Sequence, residues 1–394
     1  MIEMFSTLFY MVLLSTNVGA FNNYRDYIEK ITYRKDNCIY LYSASNDRDS
    51  VIYKPPANWV ISAFDWNESK NVLLVSIFRN DRKDPGKTIL LEYDYEKRSR
   101  NILKEKEYSH GEGFYSISYV KYILNNRYAM IKEGYYEGQG IEIVDVLCKA
   151  SLLSQRGIYI ESCLGFSSDS TLLFGCRAFS ELDYPMDGYD ETEIYTFNII
   201  TSSFTRKGYG SLERPSLNIG DSILLFSKED SVFFYKYPNK QLISSSRNRD
   251  RSYTRISSWN PIKPYILQEY WEGFCIYLPK EKRELLFKTK RTDHYFIDWT
   301  PHGDGIIYLE DRKILVRSLE KDTICDFGYF AEQDKHYWNY NLETLTAKNN
   351  GGKAVLINVG KETYKEIYLL YLDSSTKEKL PFQTDMFIVK WNSN

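Results

Sequence analysis

The chain has little that reads as catalytic equipment. Its 394 residues include only four histidines, His110, His294, His302 and His336, and no two of them have the spacing of metal ligands. There is no G-x-S-x-G elbow, P-loop, H-E-x-x-H helix or dinucleotide fingerprint. Those absences remove the usual signatures of serine hydrolases, NTPases, zinc peptidases and nicotinamide enzymes. An excess of one charge is also missing. Lys plus Arg is 51 against 53 for Asp plus Glu, a net of −2. A field that would draw in nucleic acid or a polybasic contact with lipid is therefore not expected. The six cysteines, Cys38, Cys148, Cys163, Cys176, Cys275 and Cys325, form no C-x-x-C pair and no repeating interval.

Beyond the N-terminus no apolar run approaches bilayer length. The first 20 residues do carry one, Phe5–Ser15, followed by Val18-Gly-Ala20 with small or β-branched residues at −3 and −1 of a cleavage site. Residues 1–20 are thus expected to be a signal peptide, although the segment before the apolar run holds Glu3 and no Lys or Arg. Residues 21–394 are expected to form one exported domain, periplasmic or extracellular, with no membrane insertion after cleavage. Export would permit disulfides. Cys163 and Cys176 flank the Ser167–Ser170 turn and are the pair to test, against the simpler reading of six buried thiols.

What the chain does contain is aromatic strand. It is 43% hydrophobic and 16% aromatic, with 35 Tyr, a composition suited to sheets packed on both faces. Thr292-Asp-His-Tyr-Phe-Ile-Asp-Trp299 and Thr384-Asp-Met-Phe-Ile-Val-Lys-Trp391 align without a gap at Thr, Asp and Trp. Ile61–Trp66 and Ser252–Trp259 end the same way. The position of Trp66 is filled in turn by Tyr122, Phe166, Ile219, Trp259, Trp299, Ala347 and Trp391, at intervals of 40 to 56 residues. Each interval holds four short runs of period-two or wholly apolar character, which we label a to d. In the clearest unit they are Val60–Trp66, Asn71–Phe78, Thr88–Tyr95 and Ser99–Lys104. Units of this size and content are the blades of a β-propeller.

Seven units occupy roughly residues 60–382. A lone a-type strand at Met386–Trp391 is left over, with three strands at Tyr27–Tyr33, Cys38–Ala44 and Ser50–Lys54. Joining these makes an eighth blade and closes the ring through both ends of the chain. The expected fold is therefore an all-β, eight-bladed propeller of four-stranded antiparallel blades. Seven blades is the alternative, because the units starting at Arg214 and Tyr340 lack the aromatic ending.

Two a–b turns, Phe166-Ser-Ser-Asp-Ser-Thr-Leu-Leu-Phe and Trp299-Thr-Pro-His-Gly-Asp-Gly-Ile-Ile-Tyr, resemble the F-S-P-D-G-K-x-I-x-F pattern of TolB-like (PD40, WD40-like) propeller repeats. The resemblance covers most of the chain by spacing and these two turns by residue. It implies a propeller, often an exported binding platform, or the accessory domain of a prolyl-oligopeptidase-like peptidase.

In such blades the d–a and b–c connections share one end of the ring, and here they are the long ones. The expected partner is a protein, peptide or glycan bound there, with no nucleic acid. Tyr108, Tyr135, Tyr136, Tyr184, Tyr189, Trp271, Tyr337 and Trp338 are candidate contacts, being large surfaces with polar tips. Arg249, between Arg247 and Arg251, would meet a carboxylate or phosphate, and His294 starts an a strand beside the channel mouth. The acidic run holding Asp183, Asp187 and Asp190 could take Ca²⁺ but lacks EF-hand spacing, so no cofactor is expected. Asp293 and Asp385, in the repeated Thr-Asp, leave two readings open. They would be an acid/base pair of a carbohydrate-active hydrolase or lyase, or simple strand-start residues bonded to backbone. A purely architectural role in an envelope assembly is a further alternative.

Overall fold

The computed structural model describes residues 28–67, 70–79, 86–108, 115–135, 138–156, 158–168, 171–178, 191–206, 212–218, 222–228, 231–247, 255–270, 272–289, 294–329, 343–348, 353–361, 364–381, 384 and 387–391. All the regular structure among them is β. Blade 1 joins β1 (Ile28–Lys35), β2 (Cys38–Ser43) and β3 (Arg48–Tyr53) to the last strand, β32 (Phe387–Trp391). Blade 2 is β4 (Val60–Asn67), β5 (Val72–Arg79), β6 (Gly86–Asp94) and β7 (Ser99–Tyr108). Blade 3 is β8 (Tyr115–Ile123), β9 (Tyr128–Tyr135), β10 (Gly138–Asp145) and β11 (Ser151–Arg156). Blade 4 is β12 (Ile158–Ser168), β13 (Thr171–Ala178), β14 (Glu191–Asn198) and β15 (Ser203–Arg206). Blade 5 is β16 (Leu212–Asn218), β17 (Ile223–Lys228), β18 (Ser231–Lys236) and β19 (Gln241–Arg247). Blade 6 is β20 (Arg255–Trp259), β21 (Ile266–Tyr270), β22 (Gly273–Leu278) and β23 (Arg283–Lys288). Blade 7 is β24 (His294–Trp299), β25 (Gly305–Glu310), β26 (Lys313–Ser318) and β27 (Ile324–Tyr329). Blade 8 is β28 (Glu343–Lys348), β29 (Ala354–Lys361), β30 (Tyr364–Tyr371) and β31 (Thr376–Lys379).

Eight four-stranded antiparallel blades in a ring make this an eight-bladed β-propeller. The ring closes through its ends: β32 is the inner strand of blade 1 and pairs with β1, Tyr33 opposite Phe387 and Ile31 opposite Val389. Thr384 reinforces the closure, its Oγ1 donating to Arg34 O at 2.6 Å while its carbonyl accepts Asn358 Nδ2 at 2.8 Å. Blades 4 and 5 also share a ladder, because β14 pairs with β16 through Glu191 and Thr192 and with β15 further along.

The repeated aromatic has one job. Trp66, Tyr122, Trp259, Trp299 and Trp391 each face an apolar or small residue of strand b: Leu73, Ala129, Ile266, Ile306 and Ile28. The rings of Trp66, Tyr122, Trp259 and Trp299 pack from there into the seam with the preceding blade. Trp299 is fully buried against Leu267 and Ile276 of blade 6, and its Nε1 donates to Ser258 O at 3.2 Å. At the outer end of most seams a second plug comes from strand d and faces the following blade. Leu103, Leu153, Phe287 and Phe327 are such residues, all buried. Burying one such side chain contributes about 1.5–3 kcal/mol, so the seams are the core.

Six of the eight innermost strands carry an extra residue against strand b, among them Ser62, Ser118 and Ser257. Bulges raise local twist, which suits the crowded centre of a ring. They also correct the cysteine expectation. The hairpin of β12 and β13 forms, but its bulges set Cys163 opposite Phe174 and Cys176 opposite Ile160. The two are not cross-strand partners. Cys38, Cys148, Cys275 and Cys325 are free thiols.

Candidate functional site: the d–a/b–c end of the ring

Strand ends bring three groups of side chains to this end of the propeller. Between blades 1 and 2, the β1–β2 turn reaches over the next blade. Asn37 accepts from Ile61 N at 2.8 Å and donates to Trp59 O at 2.7 Å, and Arg34 donates to Ile61 O at 2.9 Å. Arg79 then lies over the Trp59 ring, 5.7 Å from its centroid.

Between blades 2 and 3 sits a charged cluster that nothing in the sequence singles out. Lys104 of β7 donates to Glu133 of β9 at 2.7 Å and also bonds Glu142 of β10; the Tyr115 hydroxyl donates to Glu133 as well. Both carboxylates are buried. Burial pushes Glu133 upward, but the bonds from Lys104 and Tyr115 outweigh it and hold the carboxyl below its ordinary value. Glu142 is pushed up, first by burial and then by its negative neighbour. Lys106 covers the Tyr115 ring at 4.0 Å. Both carboxylates are buried and bonded to donors across the junction of blades 2 and 3, so the cluster braces the seam.

Between blades 6 and 7, His294 is 9% exposed and spoken for on both nitrogens. Nε2 is 2.9 Å from the Tyr270 carbonyl, which can only accept, so Nε2 carries a proton. Nδ1 is 3.1 Å from Thr289 Oγ1, and Phe274 meets the ring edge-on. The channel-mouth histidine thus ties the inner strand of blade 7 to blade 6, with no nitrogen turned to the channel.

Tyr108, a candidate contact in the sequence, is not available on the surface. It is buried at the end of β7, its ring filling the space beside Gly86, where an added Cβ would lie 2.0 Å from Tyr108 Cε2. The chain chooses glycine there because the ring needs the room. Tyr135 ends β9, at the expected end of the ring. Tyr136, Tyr184, Tyr189, Arg249, Trp271, Tyr337 and Trp338 lie outside the described residues, as do Asp183, Asp187, Asp190, Asp293 and Asp385. Tyr329 is an exposed aromatic that sequence reading missed. It ends β27 just before the 330–342 connection, with Lys313 Nζ 5.2 Å from its ring centroid. Its position immediately ahead of that long connection was the available signal.

No family model and no curated protein matches the chain. Solved structures do. It is similar to the dihydro-heme d1 dehydrogenase NirN, with a TM-score of 0.59 at 9% identity over 92% of this chain and 75% of that one. It is similar to the C-terminal WD40 domain of Sif2, at 0.52 and 12% over 86% and 92% of the two chains. Porphyromonas gingivalis dipeptidyl peptidase 4 superposes at 0.55 and 8%, covering 90% of this chain and 58% of that protein. The likeness is one of fold. A redox enzyme, a WD40 domain and a peptidase share this architecture, so their chemistries do not carry over.

Proposed function

We propose that the chain is an exported binding platform that presents the d–a/b–c end of its ring to a protein, peptide or glycan. The observation that supports it is how the connections divide. At the opposite end the c–d turns span only four or five residues, 95–98 and 146–150 for example. At the d–a/b–c end lie the longest connections, 179–190 and 330–342, with 248–254 between them in sequence. Long loops held together on a rigid ring are where such folds recognise ligands. Tyr184, Tyr189, Arg249, Tyr337 and Trp338 fall in these connections with Tyr329 beside them, and Tyr135, Tyr136 and Trp271 belong to the short b–c connections at the same end.

Within propellers we place the chain nearest the TolB-like repeats, on the turn after Trp299. Thr300 Oγ1 donates to Asp304 at 2.6 Å, Gly303 adopts a φ of +65°, and Asn260 Nδ2 donates to Gly303 O at 2.7 Å. The Pro-x-Gly-Asp-Gly sequence is therefore used as turn chemistry demands.

The test is cross-linking of the protein in its native envelope, beside a Tyr135→Ala/Tyr184→Ala/Trp338→Ala variant of matched stability. A partner captured by the first and lost by the second is expected. Equal capture by both would move the site off this end. Cleavage of envelope carbohydrate by the purified chain would make it the hydrolase instead.

A further inference from the structure

The seam between blades 5 and 6 is built differently from the four whose strand-d plugs are described above. Where Leu103, Leu153, Phe287 and Phe327 plug the outer end of their seams, β19 offers Ser244-Ser-Ser246, and Ile243 is only half-buried there. Ser244 Oγ donates across the seam to Pro279 O at 3.1 Å, and Ser246 Oγ to Glu284 at 2.5 Å. Side chains this small leave space, and a groove of 810 Å³ runs between β19 and the β22–β23 hairpin. It follows Leu242–Ser246, a length of about 16 Å at strand rise.

Two further features define what would fit. First, β19 is the outermost strand of its blade, and among the described residues its outer edge has no backbone partner. The Tyr277 hydroxyl approaches it, a long 3.4 Å from Ser245 O. An open edge of this kind pairs readily with an extended chain. Secondly, the c–d turns at the foot of the groove are basic. Lys240 lies in the blade 5 turn and Lys280, Glu281 and Lys282 in the blade 6 turn, and Lys282, Arg283 and Glu284 line the groove. Glu281 is 3.6 Å from Arg283, and Glu284 already accepts from Ser246. Leu242, half exposed, adds an apolar contact on the lining.

We propose that this rim groove docks an acidic peptide segment as a fifth strand on blade 5, its backbone on the edge of β19 and its carboxylates over Lys282 and Arg283. The site is separate from the d–a/b–c end and stands whether or not that end binds anything.

The probe is a pool of synthetic octapeptides alternating Asp or Glu with Val, Leu or Ile, set against a pool with Lys in place of the acids. Binding is read by fluorescence anisotropy and by amide exchange over residues 241–247. The acidic pool should bind and protect those amides. Ser244→Leu, which restores the plug seen in neighbouring blades, should weaken binding at least tenfold. Lys282→Glu/Arg283→Glu, at exposed positions that leave the fold intact, should do the same and admit the Lys pool. Undiminished binding in the charge-reversed variant overturns the proposal. So does binding of neither pool, protection confined to the d–a/b–c end, or occupancy of the groove by a neutral oligosaccharide alone.

Discussion

At the scale of single residues, the Lys104–Glu133–Glu142 cluster is the most consequential feature outside the apolar seams. Its two carboxylates are shifted in opposite directions, so they couple stability to pH with opposite signs. Glu133, held below its ordinary 4.5, contributes stability that is present above that pH and lost as pH falls through the folded value. Glu142, raised above 4.5, contributes stability that is complete below it and lost as pH rises through the folded value. Glu133→Gln should therefore cost about 2 kcal/mol near neutrality, since Lys104 and Tyr115 lose a shared acceptor, and less in acid. Glu142→Gln should gain on the wild type as pH rises. Urea unfolding of the three proteins from pH 4 to pH 8 reads both trends. Parallel stability–pH curves would show that the pair does not titrate as the geometry requires. None of this was legible beforehand. In sequence, Lys104, Glu133 and Glu142 look like the solvent-facing charges of alternating strands, and only the packing of blade on blade buries them.

At the scale of elements, strands and turns were legible to different degrees. The aromatic ending of strand a announced its register, because a ring at that position must fill a seam. The expectation weakened where the ending is Ile219 or Ala347, yet β16 and β28 both form, since the other three strands of each blade dictate the pairing. The c–d turns were harder to read. All eight carry, at the last or next-to-last position, a non-glycine residue with φ between 50° and 60°: Asp47, Arg98, Lys149, Ser202, Lys240, Lys282, Asp322 and Ser375. Turn readers look for glycine or asparagine there, and the chain uses neither. Ser375→Val should lower the urea midpoint by the equivalent of about 1–2 kcal/mol, because a β-branched side chain clashes in the left-handed region, while Ser375→Gly should not. Equal midpoints for the two variants would mean that the turn simply re-forms. The d–a/b–c end was legible as a set of long connections. His294 and Tyr108 were not, since an aromatic ring at a strand end looks the same whether it faces water or a neighbouring blade.

At the scale of the whole molecule, the decisive contact joins strands from opposite ends of the chain. The leftover strands in the sequence already implied it, because a ring with an unpaired inner strand would expose an edge at its centre. Deleting residues 385–394 should consequently remove the cooperative transition of the entire protein rather than shave off a blade. A truncated chain that melts in one step at an unchanged temperature would refute closure by β32.

That pairing also imposes a schedule on biosynthesis. β1 emerges first and waits for a partner made after nearly everything else, and at ordinary elongation rates the interval is about 20–70 s. Throughout it Ile28, Ile31 and Tyr33, fully buried in the finished ring, lack their cross-strand partners on β32. The ring cannot close until β32 has left the ribosome, so the seven blades made before it stay open to aggregation and proteolysis until that strand docks.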